Sequence, residues 1–166
     1  MTITAERPGT DLAAARRAMI DSQLRTSGVN DPAVLEAFAR VAREDHVPAA
    51  TRAHAYIDRA ISLGDGHALA APLFHGRMLV EAGLQADDTV LVVSSGSGYL
   101  PALLQGLVTK VTTVSAADAA AGKAKGSYSL VLIDGAIEVL PDAVAARLQD
   151  AGRLVTGLVE RGVTRL

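Results

Sequence analysis

Residues 94–98, Ser-Ser-Gly-Ser-Gly, are the stretch whose types and spacing point most directly to chemistry. They follow Val90, Leu91, Val92 and Val93, an unbroken apolar run of the kind a buried parallel strand presents. They precede the apolar helical run Tyr99-Leu100-Pro101-Ala102-Leu103-Leu104. A strand, a tight glycine turn and a helix form a nucleotide-binding layout. Without Cβ atoms, Gly96 and Gly98 let backbone N–H groups at the helix start approach a ligand closely. The plainer reading is that the glycines only turn a strand into a helix. Two other glycine-loop chemistries are excluded. A phosphate loop needs Lys and then Ser or Thr after its last glycine, where this chain has Tyr99 and Leu100. A hydrolase nucleophile elbow needs glycine two places to either side of its serine, where Ser97 has Ser95 and Tyr99.

Asp134 follows the apolar run of residues 128–133 and so stands at the carboxyl end of an expected strand, where open α/β sheets bind ligands. The alternative role is to cap the turn into Gly135. His67, after Gly64-Asp65-Gly66, is either a hydrogen-bond donor to a ligand carboxylate or a solvated loop residue. The histidines at 46, 54, 67 and 75 include no close pair on one helix face, so a metal centre is not expected. Cysteine is absent, which excludes disulfides, thiol catalysis and thiolate metal sites together.

The elements that must position these residues can be read in order. Residues 1–10 are expected to be a frayed leader. Asp11 N-caps a helix through Leu24, with Leu12, Ala15, Met19 and Ile20 at helical spacing. Asn30-Asp31-Pro32 starts a second helix, with Val34, Leu35, Phe38 and Val41 on its apolar face, ended by Val47-Pro48. Residues 55–67 read as an exposed loop. Residues 72–82 form a helix with Leu73, Met78, Leu79 and Ala82 buried, stopped by Gly83. After the helix from Tyr99 to about Leu107, strands are expected at residues 110–114, 128–133 and 153–159. A helix over residues 141–149 precedes the last of these. Strands alternating with helices give a parallel α/β sheet.

At 166 residues, 49% hydrophobic and 20% charged, the chain can bury one substantial core. Residues 11–166 are therefore expected to be a single domain, with a helical lead-in over 11–63 and a sheet core over 64–166. A formal net charge of −2 with no basic run gives no footprint for nucleic acid or an anionic membrane surface. No apolar run is long enough to span a membrane, and residues 1–11 are polar, so a cytoplasmic protein is expected.

The order of these pieces resembles the protein-L-isoaspartate O-methyltransferase family of S-adenosylmethionine-dependent methyltransferases. The matching stretches are MIDSQLRTSGVNDPAVLEAFARVAREDHVP, AYIDRAISLGDGHALAAPLFHGRM, VLVVSSGSGYLPALL, and YSLVLIDGAIEVLP followed by GRLVTGLVE. The resemblance implies a Rossmann-like methyltransferase sheet, mostly parallel and shortened, with helices on both faces and an N-terminal helical lead-in. It implies methyl transfer from S-adenosylmethionine to the α-carboxylate of isoaspartyl residues in damaged peptides or proteins. The cofactor contacts are then expected at Ser94, Ser95, Gly96, Gly98, Ser115 and Asp134.

Several positions depart from the family pattern. Val92 and Ser94 stand where an acidic residue and a glycine are usual, and Ser115 replaces the acid that holds the ribose hydroxyls. Losing that carboxylate costs on the order of 1 to 3 kcal/mol per unpaired polar group. Asp118, three residues on, is a candidate substitute. Ala70 and Ala68 replace the family's active-site Ser and Thr, which leaves His67 as the candidate donor to a substrate carboxylate. The dozen or so residues between the second and third sheet strands reach about 40 Å at about 3.3 Å each, enough to cross one strand but not to build a further βα unit. The chain also stops at Leu166, before the family's closing antiparallel strands. These substitutions leave a second reading, a catalytically degenerate methyltransferase-like binding or regulatory module.

Overall fold

The alternation of side chains along the central strand builds both faces of the molecule. The structure, a computed structural model, describes residues 11–166, so the expected leader lies outside the described residues. In β3 (Thr89–Ser94), Val90 and Val92 enter one core cluster and Leu91 and Val93 the other, all buried. β3 pairs in parallel with β4 (Lys110–Ser115) on one side and β5 (Tyr128–Ile137) on the other. β5 pairs in parallel with β6 (Leu148–Glu160), and β7 (Val163–Arg165) closes that edge antiparallel to β6. The sheet order is therefore β4-β3-β5-β6-β7.

Helices cover both faces. α1 (Leu12–Met19), α2 (Pro32–Arg40), α3 (Pro72–Ala82) and α4 (Tyr99–Leu104) pack on the side of Val90, Val92, Leu130 and Leu132. α5 (Ala116–Ala120) and α6 (Asp142–Ala145) cover Leu91, Val93, Val131 and Ile133 through Ala119 and Val144. Asp11 accepts from Ala14 N at 2.9 Å, so the expected N-cap is made, and Asp31 caps the second helix by accepting from Val34 N at 3.0 Å. The short link from β4 to β5 crosses β3 through α5 alone, as its length requires.

Some elements differ from the sequence reading. The expected exposed loop contains an antiparallel hairpin, β1 (Ile61–Gly64) with β2 (His67–Leu69), because Ile61 and Leu69 are buried while positive φ at Gly64, Asp65 and Gly66 reverses the chain. The second helix ends at Arg40, not at Val47-Pro48. The chain becomes extended at Val41 and then runs through two 3-10 stretches, Arg43–His46 and Ala49–His54, the first of which turns Arg43 inward. In α3 it is His75, not Leu73, that lies fully on the buried face. α4 stops at Leu104, and the chain turns through Gly106 at φ 81°. The helix expected over residues 141–149 shrinks to α6 because Tyr128 N donates to Arg147 O and Leu148 already pairs with Tyr128. Asp134-Gly135 does not end β5, which resumes pairing with β6 at Ala136 after an irregularity. A closing antiparallel strand, β7, is present where none was expected.

Candidate functional site

The glycine turn lies where the sequence places it, at the carboxyl end of β3. Gly96 (φ 95°) and Gly98 (φ 70°) adopt the left-handed conformation that side chains disfavour. Parallel register sets Ser115, the last residue of β4, directly beside Ser94. The turn's hydroxyls serve its own backbone: Gly96 N–H donates to Ser94 Oγ at 2.9 Å and Tyr99 N–H to Ser97 Oγ at 3.1 Å. Those two amides are therefore satisfied internally, and the Ser94 hydroxyl keeps its hydrogen and one lone pair to offer a ligand. Ser115 Oγ accepts from Asp118 N at 3.0 Å and so caps α5. Asp118, the candidate substitute for the ribose acid, pairs with Lys123 at 2.8 Å. That pair and the Ser115 contact hold its carboxyl below the ordinary range.

Asp134 is drawn into the protein rather than toward solvent or the Gly135 turn. Its buried carboxylate lies 2.7 Å from His75 Nε2 and accepts from Ser95 Oγ at 2.7 Å. Burial pushes the carboxyl up, but His75 and the bonds from Ser95 outweigh it and hold the group below the usual carboxylate range. Asp134 thus ties α3 to the glycine turn.

The lead-in roofs the same turn. His46 Nδ1 lies 2.9 Å from the Ser97 carbonyl, which can only accept, so this nitrogen carries the hydrogen. His67 is exposed and close to the turn on its other glycine, since a Cβ on Gly96 would lie 3.9 Å from its ring. Arg43 is fully buried, donating from Nε to Ala55 O at 2.7 Å and from Nη2 to Ala70 O at 2.6 Å, and stacks on the Tyr99 ring at 5.1 Å. Burial lowers its affinity for the proton, and Tyr99 and Asp134 partly restore it. The Ala70 backbone is therefore pinned, and Ala68 and Ala70 present methyl groups where the resemblance implies hydroxyls.

Of the residues singled out from sequence, Ser94, Ser95, Gly96, Gly98 and Asp134 come together, with His67 and Ser115 on the rim. His54 is exposed on its 3-10 stretch, and among the described residues no group of three or more His, Cys, Asp or Glu is placed to hold a metal. Sequence reasoning missed Arg43, His46 and His75 as parts of the site. An arginine between apolar Val41-Ala42 and Val47 was the available signal for the first. Nothing local pointed to a His75 partner 59 residues away.

Comparisons with known proteins place this architecture. The family model described as protein-L-isoaspartate(D-aspartate) O-methyltransferase matches residues 14–122. The protein-L-isoaspartate O-methyltransferase of Roseiflexus castenholzii is 40% identical over 114 residues, covering 69% of this chain and 52% of that protein. That of Methylorubrum populi is 30% identical over 166 residues, covering 86% and 78%. The chain spans about half the length of the first curated relatives it matches. Among solved structures, a Plasmodium falciparum protein assigned to the same activity and crystallised with S-adenosyl-L-homocysteine superposes with a TM-score of 0.68. It is 18% identical and covers 90% of this chain and 86% of that one, a likeness of fold. Taken with the lead-in, the hairpin and the glycine turn, the family match shows that the chain belongs to the protein-L-isoaspartate(D-aspartate) O-methyltransferase family.

Proposed function

We propose that this chain methylates the α-carboxylate of isoaspartyl residues in damaged peptides or proteins, using S-adenosylmethionine. The observation that carries the proposal is the glycine turn, with Gly96 and Gly98 both left-handed at the carboxyl end of the central strand although the usual acidic neighbours are replaced. The residues present fit the ligand. Two hydroxyl-bearing strand ends, Ser94 and Ser115, stand side by side, and no side chain grows from the turn at Gly96 or Gly98. S-adenosylmethionine supplies an electrophilic methyl group on sulfonium when bound.

In this reading Gly96 and Gly98 give the ligand room, and Ser94 and Ser115 offer hydroxyl contacts to its sugar. Ser95 and Asp134 hold the turn in place. The carboxylate to be methylated is ionised at neutral pH, so no general base is needed and the protein's task is positioning and exclusion of water. His67 supplies a hydrogen bond to that carboxylate where Ala68 and Ala70 cannot. Residues 11–63 form the roof and residues 64–166 the ligand-binding sheet of a single cytoplasmic domain. Among the described residues no helix is long and apolar enough to cross a membrane.

The test is transfer of labelled methyl from S-adenosylmethionine to an isoaspartyl peptide, with the matching aspartyl peptide as control. Incorporation confined to the isoaspartyl peptide, reduced in His67→Ala, supports the proposal. No incorporation into either would favour the degenerate module.

A further inference from the structure

The His75 and Asp134 side chains are both shut off from solvent. An ionised carboxylate only accepts, so His75 Nε2 carries the hydrogen of their 2.7 Å bond, and Nδ1 has no protein partner. The second carboxylate oxygen takes the single hydrogen of Ser95 Oγ. Because Ser95 and His75 both donate to Asp134, no imidazole nitrogen accepts from the serine, and a Ser-His-Asp triad is excluded. What remains is a mechanical chain from α3 to the turn. Ser95 sits between Ser94 and Gly96, so the start of the turn is tied to Asp134, and Asp134 is oriented by His75. The end of the turn is held by the same cluster. Tyr99 opens α4, with its ring 5.5 Å from that of His75 and beneath the Arg43 guanidinium, whose Nη2 fixes the Ala70 carbonyl.

We infer that His75 is a positioning residue: through Asp134 and Ser95 it holds residues 95–98 in the conformation that receives the adenosyl ligand. The ligand part of this rests on the proposed function; the ordering of the turn does not. A buried, charge-assisted pair suits the task because neither partner can exchange its bond for water.

The test compares His75→Phe, His75→Gln and Ser95→Ala with the unaltered protein in two measurements. The first is amide hydrogen exchange without ligand. Residues 95–98 are expected to exchange about tenfold faster in His75→Phe and Ser95→Ala, with amides of α2 and β6 unchanged. The second is calorimetric titration with S-adenosylhomocysteine, in which both variants bind about tenfold to a hundredfold more weakly. A variant combining His75→Phe with Ser95→Ala is expected to bind little worse than either alone, because both cut one chain. His75→Gln, which keeps an N–H donor, is expected to recover most of the affinity. Should His75→Phe not fold, Ser95→Ala and His75→Gln carry the test. Exchange and affinity unchanged in Ser95→Ala would overturn the inference, as would a Gln variant no better than Phe. If the unaltered protein binds no S-adenosylhomocysteine, the functional reading fails while the exchange measurement still decides the ordering of the turn.

Discussion

Arg43 gives up its hydration for two carbonyl oxygens and the face of Tyr99, so each of those contacts has to be kept. Removing one side of such an arrangement leaves buried polar groups unanswered. Arg43→Met is expected to lower stability by about 3 kcal/mol or more in urea denaturation, and Arg43→Lys to recover little, because an ammonium cannot reproduce the fork. A single sequence shows which residue types are present and which stand at strand ends. The Ser94 to Gly98 turn and Asp134 were legible on those grounds. It does not show where a side chain's hydrogen goes. The commitments of Ser94 Oγ to Gly96 N, Ser115 Oγ to Asp118 N and Asp134 to His75 arise from local turn geometry and from a contact across 59 residues, neither of which leaves a periodic trace.

At the scale of elements, the helices that carry their own start signals were the legible ones. Asp31 followed by Pro32 set the first turn of α2, and the cap is made. Asp31→Ala is expected to cost about 1 kcal/mol in the same denaturation measurement. The stretches that went astray are those where pairing with a distant strand competes with local preference. Residues 147–149 read as the end of a helix, yet the β5 ladder claims them from Leu148 onward. The β1–β2 hairpin was hidden because its strands are four and three residues long and its turn carries the glycines that usually mark a loop. The amino ends of the strands are joined by Asp88, which accepts from Ser129 Oγ at 2.6 Å and lies 2.5 Å from Arg153 Nη2, another tie across long sequence separations.

Over the whole molecule, lead-in and sheet share one core: Met19, Leu24 and Phe38 belong to the same buried cluster as Val90, Leu100 and Leu130. The sequence shows a helical lead-in ahead of a sheet core, and the shared cluster is what the structure adds. Its ionisable ties give the fold a pH dependence of defined sign. Asp134 and Asp88 are held below the ordinary carboxylate value despite burial, Asp134 by His75 and Ser95, Asp88 by Ser129, Gln85 N and Arg153. Their stabilisation is present above about pH 4 and is lost as pH falls through the depressed values. Tyr56 is pushed up to about 12 by burial and by its bond to Glu44, with Arg16 acting against the shift. Its contribution is complete below about pH 10 and lost as pH rises toward the shifted value. Urea midpoints across pH are expected to fall at both ends, with the alkaline fall shallower in Tyr56→Phe.

The claim on which the account rests is that residues 94–98 still receive an adenosyl ligand, and calorimetric titration with S-adenosylhomocysteine tests it directly. The account predicts saturable binding in the micromolar range, lost in Gly96→Val, because valine cannot hold φ 95° without strain in the turn. Absence of heat at millimolar ligand, or binding undiminished in Gly96→Val, would contradict it.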